Sequence, residues 1–306
     1  MLRYLVARLL RALLTVLLVV TFAFIVLRLS GDPATLILNA DAPQDAIAAF
    51  RHAWGLDRPL WVQYAEYVRH VAIGDFGQSM RDGRPAAAVV AERIPATLAL
   101  TVPALMVKLG VGVPGGVLAA LRKGSWIDRL VMSASVAGFT VPSFVLGLVL
   151  VLVFAVQLGW LPSGGRDSWL SPILPVLTLG VGGAAILARF TRSAMLEVLN
   201  QPYILMASAK GVPWPLVLRS HALPNAAIPT VTVVGLMVGS LLAGAVVVES
   251  VFSWPGVGRL LVVAVSNRDL AVVQTILLLV ATTMVAANLT VDILYGVLDK
   301  RLRSTR

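Results

Sequence analysis

The chain contains no cysteine, so neither a disulfide bond nor a thiolate nucleophile or ligand can form within it. Charged residues are scarce as well, at 13% of the chain, and the acidic residues number 15 against 25 lysines and arginines. A 306-residue chain that is 58% hydrophobic, with a mean hydropathy of +0.88, is far too apolar for a soluble domain of its size. The composition therefore indicates a membrane protein.

Catalytic and metal-binding patterns are absent from the sequence. It has no G-x-x-x-x-G-K-[ST] loop for nucleotide phosphates and no His-Glu-x-x-His zinc motif. Its three histidines, His52, His70 and His221, are scattered along the chain. An intramembrane enzyme would need a nucleophile and a base at one depth, and no serine and histidine meet that condition here. We predict no catalytic site, no metal site and no cofactor in this chain.

Six apolar segments are long enough to cross a bilayer as helices, which requires roughly 20 mainly apolar residues each. They are 9–29, 96–120, 130–157, 173–195, 228–249 and 272–296. The first apolar run is too long for a signal peptide and no clear cleavage site follows it, so we expect a retained anchor. The sequence predicts an all-α membrane protein with six transmembrane helices.

Positive charge is concentrated at four places beside these segments. The N-terminus, the second-to-third connection, the fourth-to-fifth connection and the C-terminal tail together carry 14 basic residues against three acidic ones. The long segment 31–94 carries six basic and eight acidic residues. The positive-inside rule then places both termini in the cytoplasm and 31–94 outside. Because the net charge of +10 is dispersed in this way, nucleic-acid binding is disfavoured.

These boundaries divide the chain into three parts. They are an N-terminal transmembrane helix (1–30), an extracytoplasmic region (31–94) and a five-helix core (95–306) that contains an inter-span loop, residues 201–225. Two short helices are predicted within the extracytoplasmic region, over about 43–53 and 59–72. About 60 residues are few for an independent core, so we expect this region to rest on the membrane helices. The other outer loops are 158–172 and 250–271.

Charged side chains inside the spans need partners or water. Lys108 falls near the middle of the second span, where a charge costs about 2.5–3.5 kcal/mol on insertion scales. It either lines a pore or contacts another subunit, forms an internal pair, for which Asp292 is one option, or marks a misplaced span boundary. Asp292 is structural by default and is otherwise a pore or subunit-contact candidate. Glu249 and Arg28 lie near outer ends, where long side chains can snorkel.

Small residues are frequent in the spans. Glycines crowd the second span, and Gly235 and Gly239 follow small-xxx-small spacing in the fifth. Such faces allow close approach of helices. They indicate packing within one bundle, packing against a second membrane subunit, hinging during transport, or a combination of these.

The inter-span loop is basic and punctuated by proline and glycine. Pro202 suits the first turn of a helix and Asn200 can cap it. A short helix is then predicted over Tyr203–Lys210, and Gly211 ends it. A second short helix is predicted over 215–222.

The residue chemistry of this loop suits docking. Ala207, Ser208 and Ala209 are small enough for another protein surface to come close, while Lys210 and His221 supply charge at the rim. The alternative is an amphipathic helix lying on lipid headgroups.

The loop resembles the EAA coupling loop of ABC importer permeases, and it is most similar to that of the peptide/nickel group. The resemblance is carried by Ala207-Ser208-Ala209-Lys210-Gly211 followed by His221-Ala222-Leu223-Pro224-Asn225. It extends over nearly the whole chain through Gly31-Asp32-Pro33, Gly74-Asp75-Phe76-Gly77-Gln78-Ser79, Pro95-Ala96-Thr97-Leu98, Val141-Pro142-Ser143-Phe144, Glu249 to Gly258 and Val291-Asp292-Ile293-Leu294-Tyr295. The chain departs from the family at Leu205 and Met206, where Arg-Thr is usual, and at Lys300, where proline is usual.

The resemblance implies a permease subunit in a bacterial inner membrane, in contact with its lipid, that has no ATPase of its own. Two cytoplasmic subunits would bind ATP and Mg and dock on the loop, a homologous permease would complete the pore, and an extracytoplasmic binding protein would deliver the substrate. The residues implied in coupling are Tyr203, Ala207, Ser208, Ala209, Lys210, Gly211, His221 and Asn225. Dipeptides or oligopeptides are the first expectation for the cargo, with glutathione or a nickel chelate as alternatives.

A stand-alone, ion-coupled secondary transporter is the competing hypothesis. It predicts paired carboxylates near the midplane and an internal repeat. The sequence has neither: its midplane charge is Lys108.

Overall fold

The computed structural model describes residues 2–29, 34–35, 38 and 42–298. Within these residues the chain is helical and forms no β-strand, and one isolated antiparallel bridge joins Gln78 and Pro85. The chain divides into two compact units. The first unit comprises Met1–Thr97 and Pro255–Val285, and the second comprises Leu98–Trp254 and Ala286–Arg306.

Helices of the described residues are numbered in chain order. They are α1 (Leu2–Leu29), α2 (Gln44–Ala53), α3 (Leu60–Ala72), α4 (Ala86–Ala91), α5 (Ile94–Leu121), α6 (Trp126–Thr140), α7 (Ser143–Gln157), α8 (Ile173–Leu199), α9 (Pro202–Ala209), α10 (Trp214–Gly239), α11 (Leu241–Gly244), α12 (Val246–Val251), α13 (Val257–Ser266) and α14 (Leu270–Leu298). The last turns of α7 and one turn of α10, Leu218–Ala222, are wound as π-helix.

In the first unit, α3 packs on α1 through aromatic rings. Phe24 is buried, and its ring centre lies 5.4 Å from that of Tyr64 and 5.9 Å from that of Tyr67. The hydroxyl groups of Thr21 and Tyr64 are 2.7 Å apart. Both short helices predicted in the extracytoplasmic region are confirmed, since α2 and α3 begin and end within about a residue of the expected bounds. The partner of α3 is the first apolar helix, as expected for a segment too small to form its own core.

The main hydrophobic core of the first unit joins three helices, α4, α13 and α14. Its fully buried members are Ala86, Val89, Val90, Val257, Ala264, Val272, Val273 and Ile276. Helix α13 lies inside 250–271, which the sequence predicts as a loop, so that expectation is wrong for this stretch. The signal was present: apolar residues at Val257, Leu260, Leu261 and Ala264 recur at helical spacing.

In the second unit, α5 and α8 run side by side in the same direction, in backbone contact. A methyl group at Gly112 would lie 2.8 Å from the carbonyl oxygen of Ala184, and one at Gly116 would lie 2.5 Å from that of Ala188. Only glycine permits this approach. Packing within one bundle is therefore confirmed for these two glycines, whereas Gly110 faces open space with no atom within 4 Å of such a methyl group.

The third predicted span is not one helix. α6 and α7 meet at a bend of 99°, and the break lies at Val141 and Pro142. Val141 is extended, with ψ of 119°, because the ring of a following proline disfavours helical geometry in the residue before it. The prediction of an unbroken helix over 130–157 is therefore wrong.

The fifth predicted span, 228–249, is broken as well. α10 ends at Gly239, and the short helices α11 and α12 follow. The Ser240 hydroxyl donates to the Met237 carbonyl at 3.0 Å, which completes a local turn in place of a further helical one. Among the described residues, four helices are long and apolar enough to cross a membrane, or five when the bent α6–α7 pair counts as one span.

The expectation that Glu249 snorkels outward is wrong, because Glu249 is fully buried. It lies on α12 beside Val248 and Phe252, which form a buried cluster with Leu174 of α8. Because the chain breaks after α10, α12 packs against α8, and the Glu249 side chain lies in the protein interior. The side chain of Arg28 lies outside those that the structure describes.

Candidate functional site

The inter-span loop begins with the predicted short helix, α9. Pro202 occupies its first turn, Lys210 follows its last residue, and Gly211 stops it with φ of +78°, in the left-handed region. The predicted cap is wrong: Gln201 precedes α9 and makes no capping hydrogen bond with its side chain, while the Asn200 side chain donates back to Leu196 at 2.9 Å. Asn200 therefore closes α8 and does not open α9.

The second predicted short helix, 215–222, is not a separate element. Helical backbone runs without interruption from Trp214 to Gly239. The π-helical turn over Leu218–Ala222 carries Arg219 and His221. The second half of the loop, from Trp214 onward, is thus the first part of the long helix α10 and a rigid extension of that helix.

Three buried side chains fix the loop to the helix ends beneath it. Ile204 is 2% exposed, and Val217 and Ala222 are fully buried. They share one hydrophobic cluster with Ala120 at the end of α5, Ala194 and Met195 near the end of α8, and Ala226 of α10. A displacement of α9 would therefore act on three long helices at once.

The opposite face of the loop is open and apolar. Leu205 is 65% exposed, Met206 is 59% exposed, and Trp214 and Leu216 are exposed nearby. Several large apolar side chains exposed on one short loop are typical of an interaction site. We call Leu205, Met206, Trp214 and Leu216 the apolar face of the loop.

The residues that sequence reasoning assigned to docking lie around this apolar face. Ser208, Ala209, Lys210, Gly211 and His221 are exposed, Tyr203 is 37% exposed, and Ala207 is half-buried against the cluster beneath. Asn225 is exposed, but its amide donates to the His221 carbonyl at 2.6 Å. Asn225 therefore braces the start of α10, and the others form a small, basic, accessible surface.

An ion pair beside the loop was not foreseen from the sequence. The Arg192 guanidinium of α8 donates to both carboxylate oxygens of Asp128, at 2.6 Å and 2.7 Å. Asp128 also accepts from the Gly124 amide at 2.9 Å, and the Ser125 hydroxyl caps α6. The local signal was the Ser-x-x-Asp spacing of a helix start; the Arg192 partner, 64 positions away, carries no local signal.

Lys108 lines a cavity of about 390 Å³ in the second unit, among residues of α5, α6–α7, α8 and α10–α11. It is half-buried, and its stem lies over Gly183 of α8, where a methyl group would come within 2.5 Å of its Cδ and Cε atoms. Asp292 lies in α14, and its side chain is outside those that the structure describes. The expected pore or subunit-contact role of these two residues stays a prediction.

The motif Gly74-Asp75-Phe76-Gly77 forms a turn closed by its own carboxylate. Asp75 accepts from the Gly77 amide at 2.9 Å and contacts His70 Nδ1 at 2.9 Å. The amide hydrogen bond, and secondarily the histidine, lower the pKa of Asp75 from its ordinary value. Gly74 and Gly77 have φ of +80° and +76°, which explains why glycine occupies both places.

The fold has long apolar helices, and two of the predicted spans are broken around a small cavity. An exposed basic loop continues one of the long helices. These features are those of a multi-pass membrane permease. Comparison with known families gives the particular group. Residues 112–304 match the family described as binding-protein-dependent transport system inner membrane component, and residues 1–101 match the N-terminal family of the same membrane component. The match covers more than half of the chain, so the chain belongs to this family and is a permease subunit of an ABC importer in the inner membrane.

Curated relatives align along the full length. The chain is 45% identical over 304 residues to the glutathione transport system permease protein GsiC of Salmonella typhimurium (strain LT2), with 99% of each chain covered. It is 44% identical over 304 residues to the protein of the same name from Escherichia coli (strain K12), again with 99% coverage of both. The resemblance to the peptide/nickel group, stated from the motifs, is confirmed.

Solved structures share the fold. The MetNI methionine ABC transporter in inward-facing conformations matches with a TM-score of 0.60 at 21% identity, covering 71% of this chain and 99% of that one. A second crystal form of the same transporter gives a TM-score of 0.59 at 20% identity. At this level of identity the likeness concerns the fold alone.

Proposed function

We propose that this permease imports glutathione or a similar short peptide, delivered by an extracytoplasmic binding protein and driven by two cytoplasmic ATP-binding subunits. A second, homologous permease completes the pore. The observation that carries the motor part of this proposal is the inter-span loop, since its apolar face is exposed while its underside is fixed to three long helices. ATP and Mg are bound by the partner subunits, and this chain supplies no catalytic group.

The loop suits transmission of force. A partner that grips the apolar face and the rim at Lys210 moves α9 as a unit, because Gly211 ends the helix sharply. Ile204 and Val217, buried on the underside, pass that motion to the ends of α5, α8 and α10. Interfaces of this kind switch between discrete arrangements as rigid bodies. Lipid binding by the apolar face is the rival interpretation, and the crosslinking experiment below distinguishes the two.

For the membrane topology we propose six spans with both termini in the cytoplasm, with 1–30 as anchor, 31–94 outside and 95–306 as the permease core. The support is geometric. α5 and α8 run in the same direction, so the chain between them must return across the bilayer once. The bent α6–α7 pair therefore counts as one crossing, which restores the third span despite its 99° bend. The extracytoplasmic region then lies on the face away from the loop.

The cargo is inferred from the relatives. Permeases at 44–45% identity over the full length carry the name of glutathione transport, and glutathione is a tripeptide, within the class expected from the motifs. Dipeptides and longer oligopeptides are the alternatives of the same class. Nickel chelates receive no support from those names.

Docking of the motor is testable with single cysteines, since the chain has none of its own. Ser208→Cys on α9 should form a disulfide or maleimide crosslink with a cysteine in the groove of the ATP-binding subunit. Trp169→Cys, at a residue 83% exposed, is the matched control and should give no crosslink. In intact spheroplasts an impermeant maleimide should label Trp169→Cys and spare Ser208→Cys. Labelling of Ser208→Cys from outside would overturn both the docking role and the topology.

Transport itself requires the whole assembly. Proteoliposomes that hold both permeases and both ATP-binding subunits should accumulate glutathione only with ATP and loaded binding protein present. The permease pair alone should move none. Uptake by the permeases without ATP-binding subunits would contradict the proposal and favour an ion-coupled transporter.

A further inference from the structure

The cavity around Lys108 has one charge and no counter-charge among the lining residues that the structure describes. Among the described residues that line it, Lys108 is the single ionisable side chain, and the polar remainder consists of hydroxyl groups, from Thr101, Ser143, Thr178 and Ser240. No described carboxylate forms an ion pair with Lys108. The Thr178 and Ser240 hydroxyls donate to the backbone carbonyls of Leu174 and Met237, so the Lys108 ammonium is the group that would bind an anion in this cavity.

The position of Lys108 in this cavity is built into the packing of α5 on α8. The aliphatic stem crosses Gly183, and a methyl group there would come 2.5 Å from both Cδ and Cε and 2.8 Å from Cγ. Glycine at 183 thus leaves the groove in which the stem lies. A long lysine side chain in a span usually extends to the bilayer surface. Here the stem lies across the neighbouring helix, and the half-buried residue lines the cavity.

The breaks in two spans open the same cavity. Pro142 and Ser143, at the bend between α6 and α7, line it, and so do Ser240 and Leu241, at the end of α10. These are the places where the fold departs from continuous helix, and irregular backbone at membrane depth is tolerated where it lines a cavity. The volume of about 390 Å³ falls within the range of roughly 300–1,000 Å³ that holds small ligands.

We propose that Lys108 binds a carboxylate of the substrate while the substrate crosses the membrane. This inference rests on the proposed import of glutathione or short peptides, all of which carry a carboxylate. A lysine suits a passing contact better than an arginine, because its ammonium is a mobile point charge and does not form a fixed, two-pronged bond. Passage requires a site that attracts the substrate and then releases it.

The test uses the assembled transporter in proteoliposomes with two probes, glutathione and glutathione whose glycine carboxyl is converted to the carboxamide. The remaining carboxylate of the second probe lies beside its own ammonium group. Uptake by each variant is divided by wild-type uptake of the same probe, which cancels any preference of the binding protein. The variants are Lys108→Met and Lys108→Arg, and Gly110→Ala is the matched control on the same helix, since a methyl group at Gly110 meets no atom within 4 Å.

Lys108→Met should lower glutathione uptake about tenfold and carboxamide uptake less than about twofold, in line with the loss of a charge-assisted hydrogen bond. Lys108→Arg should restore most of the glutathione uptake, and Gly110→Ala should match wild type. ATP hydrolysis stimulated by the binding protein should stay within about twofold in every variant, as only substrate passage is affected.

Gly183→Ala provides a second route to the same answer if Lys108→Met does not assemble. The new methyl group displaces the lysine stem without removing the charge, so glutathione uptake should fall more than carboxamide uptake. An equal loss of both probes, or no loss of either, would overturn the carboxylate role. A wild-type complex that transports neither probe would overturn the proposed cargo as well. If the wild type transports glutathione and Lys108→Met transports both probes at the wild-type rate, this inference alone is overturned.

Discussion

The guanidinium of Arg192 donates to both oxygens of the Asp128 carboxylate and thereby joins the start of α6, next to the α5–α6 connection, to the C-terminal part of α8. The two contacts measure 2.6 Å and 2.7 Å, and the Asp128 side chain is only 6% exposed. The same part of α8 holds the backbone of α5 at Gly116 and, through Met195, supports α9. The pair therefore stiffens the region on which the inter-span loop rests.

Breaking this pair should destabilise the permease. Asp128→Asn or Arg192→Gln leaves one partner partly desolvated without its counter-charge, and each should lower the free energy of unfolding by about 2 kcal/mol. The thermal midpoint of the purified complex in detergent is the measurement. Arg122→Gln, at an exposed basic residue of the same connection, is the control and should have no effect.

The double variant separates pairing from other effects. Asp128→Asn with Arg192→Gln should lose less than the sum of the two single losses, by a coupling free energy of about 1–2 kcal/mol. Strict additivity of the two changes would mean that the contact contributes nothing to stability.

The stop of α9 at Gly211 gives a prediction about coupling. Gly211 has φ of +78°, and a methyl group there would meet no atom of this chain within 4 Å, so within the permease a substitution acts through backbone strain. Gly211→Val should strain the stop by about 1–2 kcal/mol and reduce uptake per ATP hydrolysed. Gly211→Asn should be tolerated, because asparagine enters the left-handed region more readily. Both quantities are measured in the same proteoliposomes; uptake per ATP in Gly211→Val equal to that of wild type would remove the sharp stop from the coupling mechanism.

Local signals in the sequence were sufficient for the short elements. α2, α3 and α9 are each bounded by proline or glycine, whose backbone preferences act within two or three residues, and each was predicted with nearly correct ends. The apolar face of the loop was less visible. Leu205 and Met206 stand where the family usually has Arg-Thr, and the structure shows that these two residues supply exposed apolar surface there.

Breaks inside apolar runs were missed because hydropathy reports transfer to lipid and not backbone geometry. The few proline and serine residues at the breaks, Pro142, Ser143 and Ser240, stand among strongly apolar residues, so the mean hydropathy of a whole span conceals them. The proline at 142 was itself a sufficient signal for the first break. The burial of Glu249 and the pairing of Asp128 with Arg192 depend on which helices become neighbours, which a single sequence does not specify.

The glycines of α5 allow a test of backbone packing with a matched pair. A methyl group at Gly116 would lie 2.5 Å from the Ala188 oxygen and 2.7 Å from Thr191 Cβ, and helix backbone cannot retreat without separating α5 from α8. Gly116→Ala should therefore destabilise the complex by about 1–3 kcal/mol. Gly110→Ala, on the same helix but facing open space, should be neutral or slightly stabilising because alanine favours helix. The measurement is the thermal midpoint of each variant complex. Equal midpoints for Gly116→Ala and Gly110→Ala would refute the close contact between α5 and α8.

In the first unit, Asp269 joins the start of α14 to Ser79, in the segment between α3 and α4. Its carboxylate accepts a hydrogen bond from the buried Ser79 hydroxyl, and a weaker one, at 3.4 Å, from the Val272 amide in the first turn of α14. It thus caps the helix and holds the turn after Gly77 in one arrangement. Asp269→Ala leaves both donors without an acceptor in a site that is 5% exposed.

Asp269→Ala should lower the free energy of unfolding by about 2 kcal/mol, the sum of a lost cap and a buried hydroxyl without a partner. Asp269→Asn keeps one acceptor oxygen, enough for the Val272 amide or for the Ser79 hydroxyl but not for both, because the two donate to different oxygens of Asp269, and it should lose roughly half as much. Protease cleavage within 77–85 is the local readout, since release of Ser79 frees this turn before the helices unfold. Cleavage should rise at least severalfold in Asp269→Ala at a temperature where the helical circular dichroism is unchanged. A rate identical to that of wild type would mean that the turn is held by its own glycines and by the Gln78–Pro85 bridge alone.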